Sequence, residues 1–395
     1  MNARIRDIAV VTVARSDFGI YLPLLQALRS HPSCNLRLLV SGMHLSPEFG
    51  LTVKDIEEAG FEIFEKIETL VSSDTPGGIA KSMGLGVIGF SQIFSRYRPD
   101  IMIVLGDRFD MLPAGLAALP FGIIMAHLHG GEATEGSIDE AIRHSLTKLS
   151  HLHFVSTKQY AQRVIQMGEA PWRVQVSGAL GLDTIRHTKL WSPVETASRF
   201  GFSLTSPVAL ATIHPMSLEF SETERHISNL LEALDSIDCQ FVFTYPNADT
   251  MGRIIIREID QYCKKRSHCH IVMNAGTQGY LSLLNSVSIM IGNSSSGIIE
   301  APSFNLPVVN IGTRQQGRLR ANNVLDSSYE VSEIIHTIRK GLNPHFREGL
   351  KGLTNPYGDG HATERIVERL LTIPLNQHLL MKQFHELPEI STTVS

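Results

Sequence analysis

The chain has 395 residues, 43% of them apolar and 19% charged, which excludes a disordered chain, a collagen-like repeat and a disulfide-stapled miniature fold. Thirty-five basic against 39 acidic residues leave a net charge of −4, so a phosphate backbone meets no excess of positive charge and nucleic acid is not an expected partner. Four cysteines without C-x-x-C spacing predict a reducing, cytoplasmic setting, and no apolar run reaches about 18 residues, so no membrane span is expected.

The length predicts two domains. Short apolar runs alternate with amphipathic stretches from Ile8 onward, the pattern of strands buried on both faces and helices buried on one. Residues 8–14, 36–41, 100–105, 123–128 and 153–156 are the expected strands of a first parallel sheet. The pattern loosens between 183 and 207, around Pro193 and Ser206-Pro207, and resumes at 208–213, 240–245, 270–273, 289–292 and 308–311. The fold class is α/β, with an N-terminal Rossmann-like domain over 1–185, a C-terminal one over 205–370 and a polar tail over 371–395. Two such halves are expected to face each other across a cleft, with ligands beyond the carboxyl ends of the strands.

The first strand ends in Arg15-Ser-Asp17-Phe-Gly19, where a dinucleotide-binding protein carries its glycine fingerprint. An arginine there suits a diphosphate, because its fork of donors adds to the N–H groups of the following helix; the plainer reading is a surface arginine beside a turn closed by Asp17. A formal G-x-G-x-x-G occurs at Gly84-Leu-Gly86-Val-Ile-Gly89. The residues before it, 72–78, read as a loop and not as the strand the motif requires, so nicotinamide is not expected and a flexible closing loop explains the glycines better.

The third strand ends in Gly106-Asp107-Arg108-Phe-Asp110 and the fourth in His127-Leu-His129-Gly130-Gly131-Glu132, followed by a helix carrying Asp139, Arg143 and His144. Several titratable groups therefore converge on one lip of the sheet. His-x-His on a strand puts both imidazoles on one face, and with Glu132, Asp139 or His144 could complete a metal site. The pattern is cheap among 17 histidines, and His151-Leu-His153 repeats it. In the second half the strands end in His214-Pro215, in Tyr245-Pro-Asn247 and in Gly292-Asn-Ser294-Ser295-Ser296-Gly297, with Glu300 a turn later and Arg314 after the last strand. Small hydroxylic residues between a strand and a helix start form an anion-binding nest or, more plainly, an N-cap.

Together these residues resemble the hydrolysing branch of the UDP-N-acetylglucosamine 2-epimerases, which feeds sialic and legionaminic acid synthesis. The carriers are Arg15-x-Asp17-x-Gly19, Ser41-Gly-Met-His44, Gly106-Asp107-Arg108, His129-Gly-Gly-Glu132, Ile138-Asp139 with Arg143-His144, His214-Pro215, the triple-serine loop with Glu300, and Gly312-Thr-Arg314. The resemblance implies the glycosyltransferase-B architecture, no metal, no nicotinamide and a homo-oligomer, dimer or tetramer. It implies that Arg15, Arg108, His214, Ser294, Ser295 and Arg314 surround the diphosphate, that Asn247 and Glu300 lie nearer the uridine, and that Asp17 and His44 belong to the substrate-binding set. Asp107, Asp139, Glu132 and His129 are the implied acid–base groups. Several relatives carry His-x-Glu-Gly where this chain reads His127-Leu-His129-Gly, so that glutamate's duty passes to His129 or Glu132. The alternatives are the same reaction on UDP-N,N'-diacetylbacillosamine, a glycosyltransferase on the same scaffold, a non-catalytic UDP-sugar sensor, and a metal hydrolase using His127 and His129.

Overall fold

The computed structural model describes residues 4–71, 73, 75–134, 138–203, 207–215, 222–245 and 252–387. They form two compact units. One holds the described residues up to Glu132, those from Ile138 to Thr184 and those from Tyr357 onward; the other holds those from Ile185 to Pro356.

The first unit is built on β1 (Arg6–Thr12), β2 (Cys34–Ser41), β3 (Ile63–Ile67), β4 (Ile101–Leu105), β5 (Ile124–Leu128), β6 (Leu152–Val155) and β7 (Val174–Val176). Its sheet order is β3-β2-β1-β4-β5-β6-β7, with every pairing parallel. The connecting helices are α1 (Arg15–Ser30), α2 (Val53–Glu58), α3 (Pro76–Arg96), α4 (Leu112–Ala118), α5 (Ile138–Leu149) and α6 (Lys158–Gln166). Strand β1 shows why continuous apolar runs were needed. Ile8 and Val10 pack with Leu24 and Leu28 of α1, whereas Ala9 and Val11 pack with Phe90 and Phe94 of α3. Each such aliphatic side chain removed from water contributes about 1.5–3 kcal/mol.

Helices α7 (Leu180–His187) and α8 (Pro193–Phe200) lead to the second sheet. Its strands are β8 (Val208–Thr212), β9 (Gln240–Thr244), β10 (Cys269–Val272), β11 (Ile289–Gly292), β12 (Val308–Ile311) and β13 (Val324–Ser327), in the order β10-β9-β8-β11-β12-β13. All pairings are again parallel. Helices α9 (Thr223–Leu234), α10 (Gly252–Lys264), α11 (Gly276–Ser286), α12 (Ser296–Ile299), α13 (Val331–Leu342) and α14 (Pro344–Glu348) follow in this unit. The same two-sided logic holds: Ala209 and Ala211 face Ile227 and Ile338, while Val208 and Leu210 face Leu281 and Leu284.

Three features depart from expectation. Strands β3, β7 and β13 were not foreseen. Second, Gly84, Gly86 and Gly89 lie inside the 21-residue helix α3 and not in a closing loop; a Cβ on Gly86 would come within 2.7 Å of Pro113, and one on Gly89 within 2.6 Å of Ile67, so Gly86 and Gly89 let α3 lie close against its neighbours. Third, the described residues from Tyr357 onward belong to the first unit, where the second domain was expected to run to residue 370; the fraying expected over 384–395 falls mostly outside the described residues. Ile366 and Leu370 of α15 (Ala362–Thr372) complete the core around Leu24, Leu25 and Leu28 of α1. Asp183 accepts from the Ala362 and Thr363 N–H groups at 3.0 and 2.6 Å, neutralising orphan donors at the start of α15. Beyond it, Arg173 donates to the carbonyls of His378, Leu379 and Met381, holding α16 (Gln377–Leu380) at 2.9, 2.7 and 3.2 Å. Among the described residues no helix is long and apolar enough to cross a membrane.

Candidate active site

In each sheet the strand order reverses once, between β1 and β4 in the first and between β8 and β11 in the second, and the carboxyl ends at such reversals are where open α/β sheets bind ligands. The first reversal and its neighbour β5 carry the acids. Asp107 follows β4, Glu132 follows β5, and Arg143 on α5 joins them. The Arg143 guanidinium, 3% exposed, pairs with the Asp107 carboxylate, donates from Nη1 to the His129 carbonyl at 3.0 Å and stands 3.9 Å from Glu132 Oε2. Glu132 is buried; its Oε1 accepts from His129 Nδ1 at 2.7 Å and from Ser156 Oγ at 3.0 Å. Asp139 stands in the first turn of α5, one turn before Arg143.

His127 ties this lip together from below. Burial pushes its imidazole down to about 3, so the ring is neutral; Nε2 donates to the Gly106 carbonyl at 2.8 Å and Nδ1 accepts from the Thr147 hydroxyl at 3.1 Å. One ring thus anchors the backbone before Asp107 to the helix that carries Arg143. Arg108 forms a fork onto buried Asp110 at 3.0 and 3.2 Å and touches Met43 Sδ at 3.1 Å. Arg15, the first residue of α1, keeps its side chain in solvent beside Asp55, 3.7 Å away. Asp17 turns inward. Its carboxylate accepts from the Val13, Ala14 and Phe18 N–H groups, and burial raises its pKa to about 6 despite those bonds. His44 is buried between Thr12 and Thr52, hydrogen-bonded to them through Nε2 at 2.9 Å and Nδ1 at 2.8 Å, and burial lowers it to about 4. Asp17 and His44, both expected in the substrate-binding set, hold their loops with their own polar atoms.

The second reversal is made of backbone. Asn293, wholly buried after β11, accepts from the His214 N–H at 2.7 Å and donates to the His214 carbonyl at 2.8 Å, bridging the ends of β11 and β8. Its own carbonyl receives Arg314 Nη1 at 3.0 Å and Gln315 Nε2 at 2.9 Å. Gly292 before it has φ +130°, and a Cβ there would run into the Thr212 carbonyl, so no other residue fits. Ser295 opens the short helix α12, its carbonyl accepting from Ile298 and Ile299 at 3.0 Å; Ser294 Oγ accepts from the Ser296 N–H at 3.3 Å, and Glu300 closes that helix. Burial, aided by Arg314, lowers His214 to about 4, leaving a neutral imidazole.

With both lips described, the relatives can be placed beside them. The sequence profile of the UDP-N-acetylglucosamine 2-epimerase family matches residues 26–371. A GDP/UDP-N,N'-diacetylbacillosamine 2-epimerase (hydrolyzing) of Campylobacter jejuni is 38% identical over 97% of this chain and 99% of its own length. The chain belongs to the UDP-N-acetylglucosamine 2-epimerase family. A UDP-N,N'-diacetylbacillosamine 2-epimerase (hydrolyzing) of Legionella pneumophila is 36% identical over 96% of this chain and 99% of its own length. The UDP-GlcNAc 2-epimerase of Neisseria meningitidis bound to UDP-GlcNAc shares the fold at TM-score 0.79 with 18% identity, covering 93% of this chain and 100% of that one.

In this UDP-N-acetylglucosamine 2-epimerase family member the two histidines of His127-Leu-His129 do not share a face. Strand β5 ends at Leu128, and His129 has φ +62°, so the alternation that would align the two rings is broken between them. Among the described residues no group of three or more His, Cys, Asp or Glu side chains is arranged to hold a metal. Asn247, together with Gly136 and Ser137 before α5, lies outside the described residues. Arg143 and Asn293 are the organising residues to which sequence reasoning assigned no role. An arginine one helical turn after Asp139 and an asparagine at a strand end before three serines were the available signals.

Proposed function

We propose that this enzyme is a hydrolysing UDP-N-acetylglucosamine 2-epimerase, releasing N-acetylmannosamine and UDP for nonulosonic acid synthesis. The observation that carries this reading is the Arg143 cluster, which gathers Asp107, Glu132 and the His129 backbone. Binding alone gains nothing from so many interlocked ionisable groups, whereas inversion at C2 needs them. The C2 hydrogen is not next to a carbonyl, so it leaves only as the C1–O bond breaks. UDP departs, C1=C2 forms, water then adds at C1, and C2 receives its new proton on the opposite face. In the second unit His214, Ser294, Ser295 and Arg314 bind the diphosphate, with Glu300 and Asn247 nearer the nucleoside. In the first unit Arg15 and Arg108 add positive charge, Asp17 and His44 hold the loops, and Asp107, Asp139, Glu132 and His129 supply the proton chemistry. Each donor aimed at the leaving group is worth about 2–4 kcal/mol in a closed site.

The test is incubation with UDP-GlcNAc in heavy water with a chelator present, followed by NMR. Free N-acetylmannosamine with deuterium at C2, plus UDP, is expected; an intact UDP-sugar, or turnover abolished by the chelator, overturns the reading. A second reading is the same reaction on UDP-N,N'-diacetylbacillosamine. The 38% and 36% identities to enzymes named for that sugar favour it, against 28% to a UDP-N-acetylglucosamine 2-epimerase of Neisseria meningitidis. A much larger kcat/KM for the dideoxy sugar reverses the order. We further propose a cytoplasmic homo-oligomer, supported by free thiols at all four cysteines and by Leu85, Ile88, Leu116 and Leu119 exposed along α3 and the end of α4.

A further inference from the structure

Two residues on the acid lip compete for one role, and their hydrogen bonds distinguish them. We propose that His129 Nε2 is the atom that takes the proton from C2 and that Glu132 is its positioning residue, never meeting the sugar itself. The proposal deepens the epimerase reading and rests on it.

Glu132 is 4% exposed, and one of its oxygens already serves both His129 Nδ1 and Ser156 Oγ while the other faces Arg143. Such a carboxylate has its acceptor positions directed at the protein. The imidazole is arranged the other way. A proton on Nδ1 donated to a carboxylate leaves the lone pair on Nε2, which is the tautomer of a general base. Nε2 is buried and has no hydrogen-bond partner among the described residues. The backbone carrying this ring is bent. A non-glycine residue at φ +62° stores about 1–3 kcal/mol, held here by the His129 N–H on the Phe154 carbonyl at 2.9 Å and by Arg143 on the His129 carbonyl at 3.0 Å. Among the described residues, the charged and titratable groups around the ring include Glu132 on its own loop, Arg143 on α5, Asp107 after β4 through Arg143, and His127 on β5.

In the step, the Nε2 lone pair takes the C2 proton, the C2–H electrons form C1=C2, and the C1–O electrons leave with the diphosphate. Glu132 faces the imidazolium so formed. When water's oxygen bonds to C1, Asp139 passes a proton to C2 from the other face and takes one from that water; His129 releases its own proton to solvent.

The wild type, His129→Gln and Glu132→Gln are compared in heavy water between pH 5 and 9, with UDP release, C2 deuteration and UDP binding measured. His129→Gln is expected to lower kcat at least about a hundredfold with KM and UDP affinity within about threefold. Glu132→Gln lowers kcat about tenfold with KM within about threefold, and its nitrogen NMR shows both imidazole tautomers, because the ring loses the carboxylate that holds the proton on Nδ1. Equal losses in the two variants, an unchanged tautomer in Glu132→Gln, or a His129→Gln enzyme with near wild-type kcat would overturn the assignment. Nitrogen NMR of the wild-type imidazole reads the tautomer without any substrate: a proton on Nδ1 supports the pair, and one on Nε2 refutes it. An enzyme that shows the Nδ1 tautomer yet releases UDP from neither sugar refutes the epimerase reading and leaves the pair's geometry standing.

Discussion

The lips of the two sheets hold their polar groups in opposite ways. In the first unit the ionisable side chains also hold one another: Arg143 on Asp107, His129 on Glu132, with Ser156 on Glu132. In the second unit side chains hold backbone: Asn293 spans the two ends that carry His214 and the serines, and Arg314 and Gln315 donate to the Asn293 carbonyl. Titratable groups wired to one another can change charge together, which suits proton transfer. A loop fastened through its own peptide groups keeps a fixed shape and a fixed set of donors, which suits holding a diphosphate in place while charge grows on its departing oxygen.

The most severe way to break that contrast is at Asp107. Asp107→Asn is expected to cut kcat by about a hundredfold to ten-thousandfold while UDP binds within about threefold of the wild-type affinity by calorimetry; a variant that turns over normally but loses UDP would erase the division between the lips. Arg314→Ala is the mirror experiment. Losing a donor to a charged oxygen is worth about 1.5–3 kcal/mol, so UDP affinity should fall about ten- to a hundredfold, read by the same calorimetry. Asn293→Ala tests the scaffold. It strands the His214 N–H and carbonyl, and each stranded buried group costs about 1–3 kcal/mol, a drop of several degrees in Tm. An unchanged melting curve would mean that the bridge holds nothing.

The smallest effect at neutral pH comes from a third charged cluster at the amino end of β6, away from the lips. Glu169 is buried, which by itself raises its pKa, yet hydrogen bonds from His153, Lys148 and Lys382 outweigh that and hold it at about 2. His153 is itself pushed down by burial, so it donates as a neutral ring. Because the folded pKa lies below the ordinary 4.5, this cluster's stabilisation is complete above that value and is lost as pH falls from about 4.5 toward about 2. Urea titrations should show Glu169→Gln flattening that acid slope, and a slope identical to the wild type would remove Glu169 from the acid transition.

The central strands were legible because a strand buried on both faces has to be apolar along its length, as Ile8–Val11 and Ile101–Leu105 are. The edge strands β3 and β13 and the three-residue β7 escaped because one exposed flank admits polar residues: Glu65 and Lys66 sit in β3, Gln175 in β7 and Asp326 in β13. Gly-Asp-Arg and the triple serine were legible because each interrupts a strand end with residues that no core requires. The Arg143 hub was not, since its partners lie 36 and 14 residues away and no local spacing encodes them. The expected shared face of His127 and His129 failed for a local reason, the change of backbone hand at His129.

The return of the chain to its first unit after Tyr357 carries a consequence for synthesis. A nascent chain emerging from the ribosome can pair β1 through β7 early, but the core around Leu24 and Leu28 stays open until Ile366 and Leu370 have been translated. Folding that proceeds from the amino terminus must therefore wait for α15 before its first unit is finished.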